Sequence, residues 1–141
     1  MRSMLAGFGI VVLATVLAAG CATTGKGVSD QELIRMTMEK MKEALETQNL
    51  DLLFETISED FEHPQVGGKD NARVMLQMAL DMGYGDDGEV SLDDMEIEMN
   101  DDGTATVYPV DLSSPQGQVA VEISLKKDGD AWLILTGDAD I

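Results

Sequence analysis

Two side chains in this 141-residue sequence could carry chemistry, and each is the single residue of its type: His63 and Cys21. His63 stands directly before Pro64, and histidine is a competent general base near neutral pH. Cys21 has no second cysteine with which to form an internal disulfide. One histidine and one cysteine cannot build a typical zinc site, so the sequence predicts no such metal centre.

The acidic loops at residues 86–89 and 100–103 suggest calcium binding at first sight. Neither has the twelve-residue spacing, with acids at alternate positions and a closing glutamate, that a calcium loop requires. We predict that both are turns. The sequence also has no glycine-rich phosphate loop after a strand and no serine elbow. It therefore predicts no metal, no cofactor and no nucleophilic catalysis.

The first twenty-one residues have the layout of an export signal. Arg2 precedes an apolar run over residues 4–16, and small residues at 18–20 precede Cys21. This ending resembles the lipobox of bacterial lipoproteins, in which signal peptidase II cuts before a cysteine that is then diacylated. Ala18 stands where the lipobox prefers leucine. The alternative is an uncleaved N-terminal membrane helix, for which the uncharged run is at the short end of the required length.

The lipobox resemblance implies a signal peptide at residues 1–20, lipidation at Cys21 and a flexible tether over residues 21–28. The small, polar and glycine-bearing composition after Cys21 is typical of such tethers. Acyl chains on Cys21 would anchor the protein to a membrane of the cell envelope. Ala22 is not aspartate, which by resemblance to Gram-negative sorting signals implies the outer membrane, facing the periplasm.

The remaining chain, residues 29–141, has the length of one domain and is strongly acidic. The full sequence has 9 Lys and Arg against 27 Asp and Glu, and loss of Arg2 with the signal changes the net charge from −18 to −19. Such a surface repels phosphate backbones and anionic head groups. We therefore predict no nucleic-acid partner, and we expect the domain to stand off the membrane.

Three helices are predicted in the first part of the domain. Ser29 and Glu32 form a capping box for the first helix, and Asp70 is a candidate cap for the third helix, which Gly83 should end. Residues at helical spacing predict the buried faces. These are Ile34, Met38, Met41 and Leu45 in the first helix; Leu53, Phe54, Ile57 and Phe61 in the second; and Val74, Met75, Met78 and Met82 in the third.

After residue 89 the apolar period changes from helical to alternating. Met95, Ile97 and Met99 alternate with acidic residues, which predicts a strand with one wet face. A hairpin turn over residues 100–103 leads to further strands at 104–112, where Pro109 indicates an edge or a bulge, and at 119–125 and 131–135. The predicted fold class is α+β, with three helices packed on a curved four-stranded antiparallel sheet.

This order of elements, together with short motifs at residues 44–51, 57–64, 68–78 and 128–135, resembles the nuclear transport factor 2-like (NTF2-like) superfamily. SnoaL-like and ketosteroid-isomerase-like proteins are branches of it. The resemblance implies a cystatin-like topology, a cone-shaped half-barrel whose open end forms a pocket. It also makes a homodimer one option, because many members pair. Isomerases, dehydratases, cyclases and proteins without chemistry share this fold, so the fold does not settle function.

The resemblance assigns His63 the position of the general base in the isomerase branch. That branch also needs oxyanion donors, but the tyrosine position in its first helix corresponds to Met41, and Glu122 lies opposite the apolar face of its strand. A base without these donors lacks a main source of the rate acceleration in such reactions. The sequence therefore favours a non-catalytic lipoprotein that binds a small apolar ligand or an envelope protein. The alternative is a SnoaL-like enzyme with His63 as general base.

Overall fold

The computed structural model describes residues 28–140. The predicted signal peptide, Cys21 and the tether up to residue 27 lie outside the described residues, as does Ile141. The helices are α1 (Asp30–Glu46), α2 (Leu50–Glu55) and α3 (Lys69–Asp81). The strands are β1 (Glu62–His63), β2 (Gly67–Gly68), β3 (Glu89–Ser91), β4 (Glu96–Met99), β5 (Thr104–Ser114), β6 (Gly117–Asp128) and β7 (Ala131–Asp140). Over residues 28–140, no helix combines the length and the hydrophobicity needed to cross a membrane.

Helix α1 begins and packs as the sequence predicts. The Ser29 hydroxyl accepts a hydrogen bond from the Glu32 backbone N–H at 3.2 Å, which caps the first turn. At the same end of the helix, Asp30 accepts hydrogen bonds from Lys127 and from the Trp132 indole. The Thr37 hydroxyl donates to the Trp132 carbonyl oxygen at 2.5 Å. Polar contacts therefore join helix α1 to the end of β6 and the start of β7, in addition to the packing of its buried apolar face.

The predicted α+β fold is confirmed, with helices on a mainly antiparallel, open sheet. Strand β6 pairs with β5 on one side and with β7 on the other, and the remaining edge of β5 pairs with both β4 and β3. The four predicted strands correspond to β4 to β7, β3 is a fifth strand of this sheet, and β1 and β2 form a separate two-stranded pair. Pro109 lies in a register shift between Val107 and Val110, so the predicted bulge is present.

The core lies between the helices and one face of this sheet. The register of the two central strands places Ala105 opposite Leu125 and Val107 opposite Ile123 on the buried face of the sheet. The large apolar side chains of the core are Ile34, Met38, Met41, Leu53, Phe54, Ile57, Val90, Met95, Val107, Val110, Ile123, Leu125, Trp132 and Ile134.

Helix α2 ends earlier than predicted, at Glu55, because the next residues pair with the edge of β7. The Ser58 N–H donates to the Ile134 carbonyl oxygen at 2.8 Å, and the Ile134 N–H donates to the Thr56 carbonyl oxygen at 2.8 Å. This short parallel bridge satisfies backbone groups that a sheet edge otherwise leaves unpaired.

The buried face predicted for α3 is wrong. The side chains of Val74, Met75, Met78 and Met82 are exposed, and the buried residue of this helix is Ala72. Helix α3 has apolar residues on two sides, and it contacts α2 and β2 through the side that carries the smaller Ala72. The helix also begins one residue before Asp70, with Gly68 at the N-cap position.

Candidate functional site

A cleft of about 420 Å³ opens where the C-terminal ends of α1 and α3 face the sheet. Its lining comes from the segment after α3, from β3, and from the β5–β6 hairpin. The volume lies within the range of small-molecule sites. The apolar lining residues are Leu45, Leu80, Tyr84, Val90, Leu112 and Val119, and the polar ones include Glu89, Ser113, Ser114, Gln116 and Gln118.

The wall after α3 is held by Gln48, which lies in the short connection between α1 and α2. The Gln48 side-chain amide donates to the Gly85 carbonyl oxygen at 2.9 Å and to the Asp86 carboxylate at 3.3 Å. A Cβ at position 85 would lie 2.5 Å from Cδ2 of Leu80, so a larger residue there would require the Leu80 side chain to shift. Glycine therefore lets the chain pass close to Leu80, which itself lines the cleft.

The β3 wall is held by two side chains of α1. Lys42 donates from Nζ to the Val90 carbonyl oxygen at 2.5 Å, and the Val90 N–H donates to Oε2 of Glu46 at 3.1 Å. The two side chains lie 3.6 Å apart as an ion pair. Both backbone polar groups of Val90 are thus satisfied, although no strand within residues 28–140 lies on this side of β3.

His63 lies in β1, opposite Gly67 of β2, and is not among the residues that line the cleft. Its Nδ1 accepts a hydrogen bond from the Gln65 N–H at 3.1 Å, and its Nε2 lies 3.5 Å from Oδ1 of Asp138. The His63 side chain is 16% exposed and the Asp138 side chain 69%. The structure therefore separates the predicted base from the cleft.

The hydrogen bonds of His63 also bear on its chemistry. Because Nδ1 accepts from Gln65, the neutral ring carries its proton on Nε2, which faces the Asp138 carboxylate. In this arrangement the neutral imidazole has no free lone pair with which to take a proton from a substrate. General-base action would require the bond from Gln65 to break first.

The other residues weighed in the sequence lie apart from the cleft. Met41 is buried in the core, where its thioether cannot donate a proton to an oxyanion. Glu122 is exposed and pairs with Asp138 across β6 and β7. Among residues 28–140, no three His, Cys, Asp or Glu side chains are grouped so that they could hold a metal ion.

Solved structures that are similar to this chain share its architecture at low sequence identity. A Nostoc punctiforme protein of unknown function with a cystatin-like fold is 15% identical, with a TM-score of 0.64 over 78% of this chain and 89% of that one. The present chain has the same fold. It is cystatin-like.

Two further solved structures are similar to this chain. An uncharacterised Caulobacter vibrioides protein with a cystatin-like fold is 16% identical, with a TM-score of 0.64, and the match covers 83% of this chain and 90% of that one. An NTF2-like protein of unknown function from Shewanella oneidensis is 17% identical, with a TM-score of 0.57 and coverage of 79% and 98%. No protein-family model matches the sequence, and no curated protein matches it either. Identities this low show a common fold alone.

Proposed function

We propose that this protein is a cell-envelope lipoprotein, anchored through acylated Cys21, whose cystatin-like domain binds a small apolar ligand without chemical turnover. The observation that carries the proposal is the cleft at the ends of α1 and α3. Its walls are largely apolar, its volume suits a small molecule, and His63 lies elsewhere. Binding in such a site gains free energy from the removal of apolar ligand surface from water.

The polar groups at the cleft support a ligand that carries no negative charge. Ser113, Ser114, Gln116 and Gln118 offer neutral hydrogen-bonding groups, and Glu89 brings a carboxylate. No lysine or arginine is among the lining residues, all of which lie in the described part of the chain. A net charge of −18 before processing adds a repulsive field against anions. A neutral molecule with an apolar body and a hydroxyl or amide end fits these walls.

The enzymatic alternative is favoured by one observation, the approach of the His63 ring to Asp138. A carboxylate beside a histidine can orient the imidazole ring. Against this alternative, Nδ1 of His63 accepts a hydrogen bond from the Gln65 N–H. In addition, neither His63 nor Asp138 lines the cleft. We therefore keep a SnoaL-like activity with His63 as base as the second candidate.

Mass spectrometry of the protein purified natively from its envelope tests the proposal. Val119 lines the cleft, so Val119→Trp should fill part of it and displace the ligand. Met36→Trp adds the same side chain at an exposed position on α1 and serves as the control. We expect a neutral apolar molecule to co-purify with the parent and the control but not with Val119→Trp. A parent without such a molecule, or equal retention by a folded Val119→Trp, would contradict ligand binding in the cleft.

A further inference from the structure

Helix α3 carries an apolar face that the domain leaves uncovered. Val74, Met75, Met78 and Met82 are 57%, 45%, 56% and 66% exposed. Val74, Met75 and Met78 lie on one side of the helix, and Met82, the residue directly after α3, extends that side. We call these four residues the α3 face. Buried Ala72 and partly buried Leu76 lie on the side that faces the domain.

Contiguous exposed apolar surface of this kind marks an interaction site more often than single exposed side chains do. Three of the four residues are methionines, whose flexible and polarisable side chains adapt to the shape of a partner. Met36 of α1 is 62% exposed as well, but charged neighbours at Arg35, Glu39 and Lys40 surround it. Met36 therefore resembles an ordinary isolated exposure and provides a matched comparison.

The charges around the α3 face are unbalanced. The cations of α3 are already engaged, because Lys69 pairs with Glu59 at 2.8 Å and Arg73 pairs with Asp51. Asp70 in the first turn and Asp81 in the last turn are exposed, and within residues 28–140 neither takes part in an ion pair. The free charge at the two ends of the α3 face is therefore negative.

The negative charge at the ends of the α3 face favours some binding partners over others. A second copy of the chain would bring another strongly acidic surface, and anionic lipid head groups would also be repelled. A partner with apolar residues on one side and basic residues at its borders would cover the methionines and neutralise Asp70 and Asp81. Helix α3 has 13 residues, a length of about 20 Å, which matches an amphipathic helix of three to four turns.

We infer that the α3 face docks a cationic amphipathic helix of a partner protein. The apolar side of that helix packs on Val74, Met78 and Met82, and its lysines or arginines lie near Asp70 and Asp81. This site is independent of the cleft, so the failure of ligand binding there would leave it standing.

The test uses the mature protein, acylated at Cys21 as proposed above, in phosphatidylcholine nanodiscs, and a fluorescein-labelled, 14-residue helical peptide of leucine and lysine. A peptide of the same pattern with glutamate in place of lysine is the matched probe, and signal from empty nanodiscs is subtracted. We expect the lysine peptide to bind and the glutamate peptide not to bind. Met78→Ser combined with Met82→Ser should weaken binding about tenfold, whereas Met36→Ser should leave it unchanged. Asp70→Asn with Asp81→Asn should weaken it about fivefold at low salt.

Several outcomes would overturn the inference. One is no binding of the lysine peptide, and another is equal binding of both peptides. Equal loss with Met36→Ser would show that binding depends on exposed methionines in general and is not specific to the α3 face. Sedimentation of the parent as a dimer that the Met78 and Met82 changes dissociate would assign the α3 face to a second copy. Matching thermal melts of the parent and the serine variants exclude misfolding as the cause of lost binding.

Discussion

Lys42 donates from its ammonium group to the carbonyl oxygen of Val90 at 2.5 Å, so a side chain of α1 hydrogen-bonds to the outer edge of β3. Val90 pairs with Leu112 of β5 on one side of β3. On the other side, Lys42 and Glu46 together satisfy its carbonyl oxygen and its N–H. This arrangement closes a sheet edge and joins α1 to a strand that lines the cleft.

Lys42→Met should destabilise the protein by about 1–3 kcal/mol. The change removes the donor to Val90 and leaves the Glu46 carboxylate without its cation, although the methionine keeps most of the apolar stem. Urea denaturation followed by circular dichroism measures the effect. Lys40→Met is the control, because Lys40 pairs with exposed Glu55 and should contribute at most about 1 kcal/mol. Equal losses in the two variants would contradict a special role for the contact to Val90.

Leu125→Asp should cost several kcal/mol, a large share of a typical total stability of about 5–15 kcal/mol. Leu125 is fully buried between Ala105 and Ile134, and an aspartate there has no cation within the core. Thermal melting checks this. Met99→Asp makes the same kind of change at an exposed position of β4 and should alter stability much less. A Leu125→Asp protein that melts like the parent would show that this row of β6 does not face the core.

The elements that sequence reasoning predicted well are those with a single apolar face. Helix α1 and strand β6 each place one set of regularly spaced apolar residues toward the core, so the period identifies both the element and its inner side. In α3 the methionines and the residues around Ala72 form two apolar sides, and the period cannot say which one is buried. Tertiary contact with α2 decides it.

The cleft could not be predicted for a different reason. Leu45, Leu80, Val90 and Val119 come from separate elements, and no local pattern connects them. Strand β3 has only three residues, which is too short for an alternating pattern to be recognised in the sequence. Its outer edge is hydrogen-bonded by Lys42 and Glu46, which are distant in the sequence. The sequence indicated His63 as a candidate base because of its residue type alone. In the structure its ring contacts Gln65 and Asp138 and does not line the cleft.

Asp30 should contribute to stability in a pH-dependent way. The Lys127 ammonium, which donates to its carboxylate, and then the Trp132 indole lower the pKa of Asp30 below its usual value. A carboxyl group with a lowered folded-state pKa stabilises the fold above its unfolded pKa, near 4, and that contribution is lost as the pH falls through the lower folded value. Asp30→Asn should therefore destabilise the protein at pH 7 and flatten its acid-unfolding curve below about pH 4. Melts from pH 2 to 7 test this. Identical curves for parent and variant would contradict it.

Cys21→Ser should leave an unprocessed and unacylated precursor. The serine cannot accept the thioether-linked diacylglycerol, and cleavage by the lipoprotein signal peptidase depends on that cysteine in the lipobox pattern that residues 18–21 resemble. Intact-mass spectrometry of membrane fractions distinguishes the precursor from the mature form. A variant that is cut before position 21 and carries lipid as the parent does would remove the basis for the proposed anchor.

His63→Ala separates the two candidate functions. If His63 serves only the turn that follows β1, the variant loses the bond from the Gln65 N–H to Nδ1 and about 1 kcal/mol of stability, with ligand binding unchanged. If it is the general base, turnover of a substrate falls by about 10²–10⁴ while the fold persists.

His63→Asn is a sharper control, because an asparagine oxygen can accept from the N–H two residues later without acting as a base. We expect His63→Asn to recover the stability lost in His63→Ala and to bind ligand like the parent. Activity that is lost in both variants, with stability restored by asparagine, would instead establish the enzymatic alternative.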